Sequence, residues 1–395
     1  MDIDLYSPDA LKSPWPTVER IREEGPVVYN DQMQRWMITP DRLVRRVLMN
    51  YERFTVEKKR EEGPSLFGPD AFIGIDDKER HDALRGVWSI AFQRASLERL
   101  RGVITEIADR MLNTMEARLR DGETVDSIRE LCRDLPAYVI AHMLGVPSDM
   151  RPKIVEWSDL MGAAVGFPPS EWRPENPAWV AAETARQNIA KYILEQIDYR
   201  RRNPGDDLIS QIVHSEIGKT LTDQAIMENS RQLLFAGNET TAKWLGHCMV
   251  VLAQHPDVRE EVRLDRELLP VAVEEIMRWE PVVGTTFRSV RGGDIEVEGT
   301  LLRDGDRMMV MTGAANRDSE RYVDPGKFNI HREFKANLGF GYGMHSCLGV
   351  TLARLETQIT IGRVLDRIPN FALAGEVTYS SFQLRGPQTV PIRLQ

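Results

Sequence analysis

Cysteine is scarce: Cys132, Cys248 and Cys347 are the whole set, widely spaced and odd in number. Such a set builds no disulfide framework, and without a Cys-x-x-Cys pair it offers neither a zinc knuckle nor a dithiol. A reducing cytosol is the expected setting. Long apolar runs are also missing. The stretch from Ala137 to Leu144 is far short of the ~20 residues that span a bilayer, and it contains His142. Residues Met1 to Tyr6 have neither the basic nor the apolar part of a targeting signal. The chain is therefore expected to be cytoplasmic, with no membrane association. Basic residues are outnumbered, 51 Lys and Arg against 60 Asp and Glu, so the net charge of −9 argues against a nucleic-acid partner. Gly/Ser linkers, repeats and low-complexity tracts are absent, as is any flavin or dinucleotide fingerprint.

What is present is length and helical periodicity. At 395 residues the chain exceeds the usual domain of ~100–200 residues, which leaves two domains or one large fold around a cofactor. Val27–Tyr29 and Trp36–Ile38 flank a polar segment and read as a strand pair. From about Asp77 to about Trp279 apolar residues recur at three- and four-residue spacing, as at Leu97, Leu100, Ile104, Ile107 and Met111. After Pro281 the pattern turns to short strands. Ile295–Val297 and Thr300–Leu302 flank Gly299, and Arg307–Met311 follows. A Gly-rich loop then leads into a helix expected from Leu348 to about Leu355, and Val390–Leu394 closes the chain as a strand. This order predicts a mainly α fold with small β-sheets, not a βαβ nucleotide-binding layout.

Phe340-Gly341-Tyr342-Gly343-Met344-His345-Ser346-Cys347-Leu348-Gly349 is the most informative segment. Gly341, Gly343 and Gly349 allow turns and close approach that a Cβ hinders. Cys347 falls where the loop meets the next helix, whose N-terminal N–H groups favour a thiolate. Taken alone, the segment also fits a buried structural cysteine beside a glycine turn. At each fixed position, however, it resembles the haem-binding loop of the cytochromes P-450, Phe-x-x-Gly-x-x-x-Cys-x-Gly. The resemblance implies that Cys347 is the axial ligand of a haem b iron, with thiolate donation favouring cleavage of the O–O bond.

Three further segments resemble the same family in the expected order. Ala236-Gly237-Asn238-Glu239-Thr240-Thr241 lies in a helical stretch, where a glycine costs about 1 kcal/mol relative to alanine. It resembles the oxygen-binding groove of the family's central helix. Ala236 and Gly237 would then leave room over the haem, Thr240 would hydrogen-bond the bound dioxygen, and Glu239 would pass protons inward. A hydroxyl bonded back to the helix is expected to open a local bulge. Glu275-Ile276-Met277-Arg278 resembles the Glu-x-x-Arg signature, which with Arg332 would brace the cysteine loop in a structural role. Asp77 opens a helix on which His81 and Arg85 share one face. By resemblance these two, with Arg288, Phe340 and His345, contact the haem, chiefly at its propionates. Phe92 falls where the family has an aromatic.

Together these marks imply one cytochrome P-450 domain over 1–395. It would have β-containing parts at about 1–60 and 281–330, a helical body at about 77–280, and the cysteine loop and final helix at 338–366. The implied reaction inserts one atom of dioxygen into a small to medium hydrophobic substrate, using electrons from a ferredoxin and its NAD(P)H reductase. Arg94, Arg99, Arg101 and Arg354 are the basic candidates for ferredoxin docking. Pocket walls are expected from Phe67, Phe72, Ile73, Leu233, Val282, Val283, Gly284, Thr285 and Phe382, with a lid at 157–180. A haem sensor without turnover and a non-oxygenase reaction on the same scaffold remain the rival readings.

Overall fold

The N-terminal strand pair forms as its alternation predicts. In the computed structural model, which describes residues 3–56, 67–165, 173–379 and 381–395, β1 (Val27–Asn30) pairs antiparallel with β2 (Arg35–Ile38), Val27 facing Ile38. Helices α1 (Pro8–Lys12) and α2 (Trp15–Glu24) precede this pair, and α3 (Asp41–Met49) and β3 (Phe54–Thr55) follow it.

The helical body comprises α4 (Lys78–Ser89), α5 (Arg94–Arg120), α6 (Asp134–Met143), α7 (Arg151–Val165), α8 (Pro177–Arg202), α9 (Leu208–His214), α10 (Asp223–Gln254), α11 (Pro256–Leu264) and α12 (Leu269–Trp279). It is not continuous helix, because β4 (Val125–Asp126) and a π-helical turn at Ile128–Cys132 interrupt it before α6. Asp77 caps α4, its carboxylate accepting from the backbone N–H of Arg80 at 2.7 Å.

The β-rich side contains β5 (Thr286–Val290), β6 (Ile295–Val297), β7 (Thr300–Leu302) and β8 (Arg307–Val310). The β6–β7 hairpin turns through Glu298 and Gly299, both at positive φ. After α13 (Thr312–Ala315) comes α14 (Val350–Arg367), which starts two residues later than expected and ends one residue past the expected limit at 366, its apolar spacing persisting to Leu365. The chain ends in β9 (Phe371–Leu373), β10 (Thr378–Tyr379), β11 (Pro387–Thr389) and β12 (Pro391–Leu394). Strands β3, β4, β9, β10 and β11 are two or three residues long, too short for an alternation to register.

The largest sheet has the order β1-β2-β8-β5-β3, so chain from both sides of the helical body meets in it. β12 lies between β4 and β9, tying the C-terminus to the end of α5. Helix α10 crosses the core, with Ala225–Phe235 and Lys243–Leu252 buried throughout. Between these stretches Ala236, Gly237, Glu239, Thr240 and Ala242 are only partly covered. Among the described residues no helix is long and apolar enough to cross a membrane.

Glu356 sits on the buried face of α14 beside Thr357 and Thr360, and its Oε2 has no partner. Burial raises its carboxyl pKa well above the ordinary 4.5, so the folded state keeps a proton that the unfolded chain releases. Stability is therefore lost as pH rises through the interval above 4.5. Glu356→Gln removes this loss. Its urea midpoint, compared with the parent's, is expected to gain steadily with pH, by about 1.4 kcal/mol per unit until the folded pKa is passed. A difference independent of pH would contradict a protonated Glu356.

Candidate active site

The cysteine loop is closed by its own backbone. The N–H of Cys347 donates to the Phe340 carbonyl at 2.8 Å, Ser346 N–H to Gly343 at 3.0 Å, and Gly341 N–H to Leu338 at 3.0 Å. Gly341 and Gly343 adopt φ of 73° and 74°, where an L side chain is strained. A Cβ on Gly343 would also meet the Leu48 carbonyl oxygen at 2.7 Å. Gly349 differs from expectation. Its φ is −84°, and a Cβ there would make only ordinary contacts, so the local chain does not require glycine at the α14 N-cap. Its backbone N–H instead donates to the Cys347 sulfur. Burial pushes the Cys347 thiol up, while that N–H and the charges of Arg85 and Arg354 pull it down. The side chain is nevertheless accessible, unlike those of Cys132 and Cys248.

The loop is braced from α12. Arg278 donates to both carboxylate oxygens of Glu275 at 2.7 Å, and both side chains are buried. Arg332 Nε donates to Glu275 Oε1 at 3.3 Å and its NH2 to the Lys327 carbonyl at 3.0 Å, joining the pair as expected. The bracing then reaches the loop in two steps. Arg278 donates to the Asn316 carbonyl, and the Asn316 side chain accepts from the Leu338 N–H at 2.6 Å. Met277 meanwhile packs where Gly339 leaves room, since a Cβ there would fall 2.5 Å from Met277 Cγ.

His81, Arg85, Arg288 and His345 converge, although they come from α4, β5 and the loop. The rings of His81 and His345 lie 5.0 Å apart, edge to face. Buried His81 Nε2 and His345 Nδ1 have no partner. Arg85 donates to the Ser346 carbonyl at 2.8 Å. Among the described residues, buried Arg288 has only Thr286 and the Phe287 carbonyl as hydrogen-bond acceptors, and burial draws its pKa down to about 10 against the pull of Asp76. Sequence reasoning missed Asp76, which stands just before the helix and carries no motif. Its buried carboxylate pairs with His345 Nε2 at 3.1 Å and accepts from the Thr55 hydroxyl and the Val56 N–H. Those contacts hold its pKa below the ordinary value despite burial.

On α10, the Thr240 hydroxyl donates to the Ala236 carbonyl at 2.8 Å, the expected back-bond, yet the backbone stays α-helical and no bulge opens. Gly237 also serves the packing of the helices. A Cβ there would meet Ile140 Cγ1 at 3.3 Å, so the glycine lets α10 approach α6. Asn238 is buried with both amide atoms unpartnered.

The expected pocket residues divide. Phe72 packs edge-on to His81 and beneath Arg85, with ring and guanidinium 5.9 Å apart, and so supports the cationic cluster. Phe67 packs at a tilt against Phe235, with ring centroids 5.9 Å apart, and Ile73 is exposed. Leu233 and Val282 are buried in the main core, and Val283 bridges to Leu384. Thr285 is buried with an unpartnered hydroxyl. Phe382 instead joins the small N-terminal cluster with Ile21, Met37 and Met309, which accounts for its apolar character by itself. Of the lid segment, residues 166–172 lie outside the described residues. The remainder ends α7 and begins α8, where Trp179 packs on Ala164 and Ala182.

The cytochrome P450 family profile matches residues 28–369. The monooxygenase PikC of Streptomyces venezuelae is 34% identical, covering 100% of this chain and 94% of that protein. Cytochrome P450 107B1 of Saccharopolyspora erythraea is 35% identical over 80% of this chain and 76% of its own length. The crystal structure of CYP109E1 from Bacillus megaterium with testosterone superposes with a TM-score of 0.89 at 29% identity, covering 98% and 100% of the two chains. The chain belongs to the cytochrome P450 family.

This P450 is accordingly a monooxygenase that uses haem b, held in the family by a cysteine thiolate, and draws electrons from separate redox partners. Its own residues fit that cofactor. An accessible cysteine sits in a glycine-turned loop; Asp82 and Asp76 each take one ring nitrogen of His81 and His345, while the other ring nitrogen of each histidine has no partner and the Arg288 guanidinium has no carboxylate bonded to it among the described residues. Buried donors of this kind need an acidic partner such as a pair of propionates.

Breaking the brace leaves a charge buried and unpaired. Arg278→Ala is expected to cost about 3–5 kcal/mol in urea unfolding and to release haem to apomyoglobin faster than the parent does. An unchanged release rate would show that the brace does not hold the loop.

Proposed function

We propose that Cys347 is the axial ligand and that His81, Arg85, Arg288 and His345 hold the propionates, with Phe340, Gly341 and Gly349 shaping the ligand side. Ala236 and Gly237 line the opposite face, Thr240 and Glu239 manage proton delivery, and Glu275, Arg278 and Arg332 act structurally. The single observation that carries this reading is the convergence of four cationic or donor side chains, two with unpartnered nitrogens, on the segment ending in Cys347. Bound haem b supplies the activation of dioxygen and the transfer of one oxygen atom to substrate.

The chain's own contributions follow from its geometry. The Gly349 N–H and the Arg85 and Arg354 charges favour the thiolate at Cys347. The Thr240 hydroxyl lies at the partly covered segment of α10, and a rotation about its side chain that releases the Ala236 carbonyl lets it donate to an oxygen atom. The substrate is a hydrophobic molecule of small to medium size, a reading supported by the apolar Phe67, Phe72 and Leu233 and by the neighbour crystallised with testosterone. We take residues 1–395 as one functional unit, supported by the shared sheet and the β12–β4 pairing. A cytoplasmic setting is part of the proposal, supported by the free thiols at Cys132 and Cys248.

Thr240→Ala is expected to keep haem and substrate binding but to divert most electrons into hydrogen peroxide, measured against product with a ligand found by Soret-shift screening of a panel that includes testosterone. A variant that stays coupled would remove Thr240 from proton delivery.

The electron donor is a ferredoxin with its NAD(P)H reductase. Of the four docking arginines, Arg101 is paired with Glu98, and Arg354 grips Glu274 while lying over Phe340. Arg94 and Arg99 are exposed and form no ion pair among the described residues, so they are the stronger candidates for an acidic partner. Reversing both charges is expected to slow reduction by ferredoxin in stopped flow, most at low salt where screening is least. Equal rates at every salt concentration would place the docking site elsewhere.

A further inference from the structure

A lysine in the middle of a core helix needs a reason. Lys243 is buried on α10, one turn after Glu239, and its Nζ lies 2.8 Å from Glu239 Oε1. The same ammonium donates to the Leu384 carbonyl at 2.9 Å, fixing it from the far side. Two glycines on different elements make room for this pair. A Cβ on Gly386 would overlap Cβ and Cγ of Lys243, and one on Gly162 of α7 would come within 3.1 Å of the Glu239 carboxyl. An exposed helical pair of this spacing contributes only ~0.2–0.5 kcal/mol and needs no such seat. Outward of Glu239 stand Asp159 of α7 and its ion partner Arg133, both partly accessible. The negative charge of Glu239 adds to the burial that pushes the Asp159 carboxyl up. The carboxylate thus sits between a tethered cation inside and a like charge outside, with Thr240 as its chain neighbour.

We infer that Lys243 is a positioning residue for Glu239, holding one carboxylate oxygen along the α10 axis so that the other is offered beside Thr240. The inference rests on the reading of Glu239 as the acid of the pair, and assigns the control of its orientation to a residue outside that pair. Without the tether, like charge at Asp159 no longer opposes a fixed attraction, and the carboxylate samples several orientations. Dioxygen then leaves more often with two electrons and two protons as hydrogen peroxide, instead of going on with two further electrons and two further protons to two waters or, with the same two electrons and two protons, to oxygenated product and one water.

The test uses the haem-loaded enzyme with a [2Fe–2S] ferredoxin and its reductase, with no organic substrate added. Three variants, Lys243→Met, Lys243→Arg and Glu239→Gln, and the double variant Lys243→Met/Glu239→Gln are compared. The readouts are peroxide formed per dioxygen consumed, the solvent isotope effect, and the infrared C–O stretch of the reduced carbon monoxide complex. Lys243→Met is expected to slow the non-peroxide route by on the order of tenfold, to enlarge the isotope effect and to broaden the C–O band. Lys243→Arg restores the parent's values, and Lys243→Met adds nothing once Glu239→Gln is present. A purely structural lysine would instead lower stability and haem content while leaving the isotope effect unmoved, and that result overturns the inference. If Glu239→Gln uncouples while Lys243→Met does not, Lys243 loses its role. If Glu239→Gln itself changes nothing, the acid assignment fails first.

Discussion

A buried arginine and glutamate carry the arrangement on which the site depends. Glu275 and Arg278 lie on one turn of α12, and a charge pair removed from water persists only when its remaining hydrogen-bonding capacity is met. Here Arg332 and the Asn329 N–H complete Glu275, and the Asn316, Pro325 and Lys327 carbonyls complete Arg278. Every one of these partners belongs to the irregular chain that precedes the cysteine loop. Satisfying the pair therefore folds that chain, and the folded chain presents Leu338 to the Asn316 side chain and Gly339 to Met277. The position of the Cys347 sulfur follows from polar groups far from it in sequence.

The opposite wall obeys a different constraint. Helix α10 is buried along most of its length, and its backbone is satisfied internally, so its side chains alone adjust to their surroundings. Small residues, a back-bonded threonine and an ion pair occupy the partly covered segment, while large apolar side chains fill the turns on either side. The edge-to-face contact of Trp244 with Phe340, with ring centroids 5.4 Å apart, couples this helix directly to the cysteine loop. The two walls are thus held to each other by packing, which resists sub-ångström drift better than long polar side chains do.

Between the walls, two carboxylates, Asp76 on His345 and Asp82 on His81, stand among several bases. Asp76 satisfies His345 and lies close enough to Arg288 to act on it, yet leaves the outer nitrogens of both histidines unused. A neutral lining would not call for an anionic guest, and a fully paired one would refuse it. The partial pairing leaves ring nitrogens and a guanidinium that favour a dianionic cofactor edge.

The linear chain by itself determined the family, the loop around the proposed ligand Cys347, the brace at Glu275, Arg278 and Arg332, and the cap at Asp77. Each depends on fixed short spacings that geometry imposes locally, such as three residues along a helix or glycines where φ must be positive. The contacts of Asp76, the ion pair of Lys243, the close approach of Gly237 to Ile140 and the place of Phe382 came only with tertiary structure. Each of these is decided by what a distant segment brings within a few ångströms: Thr55, Leu384, Ile140 and Met309 lie 21 to 141 residues away along the chain. No periodicity in the sequence encodes that meeting, because the packing of helices and sheets sets it after the local elements have formed.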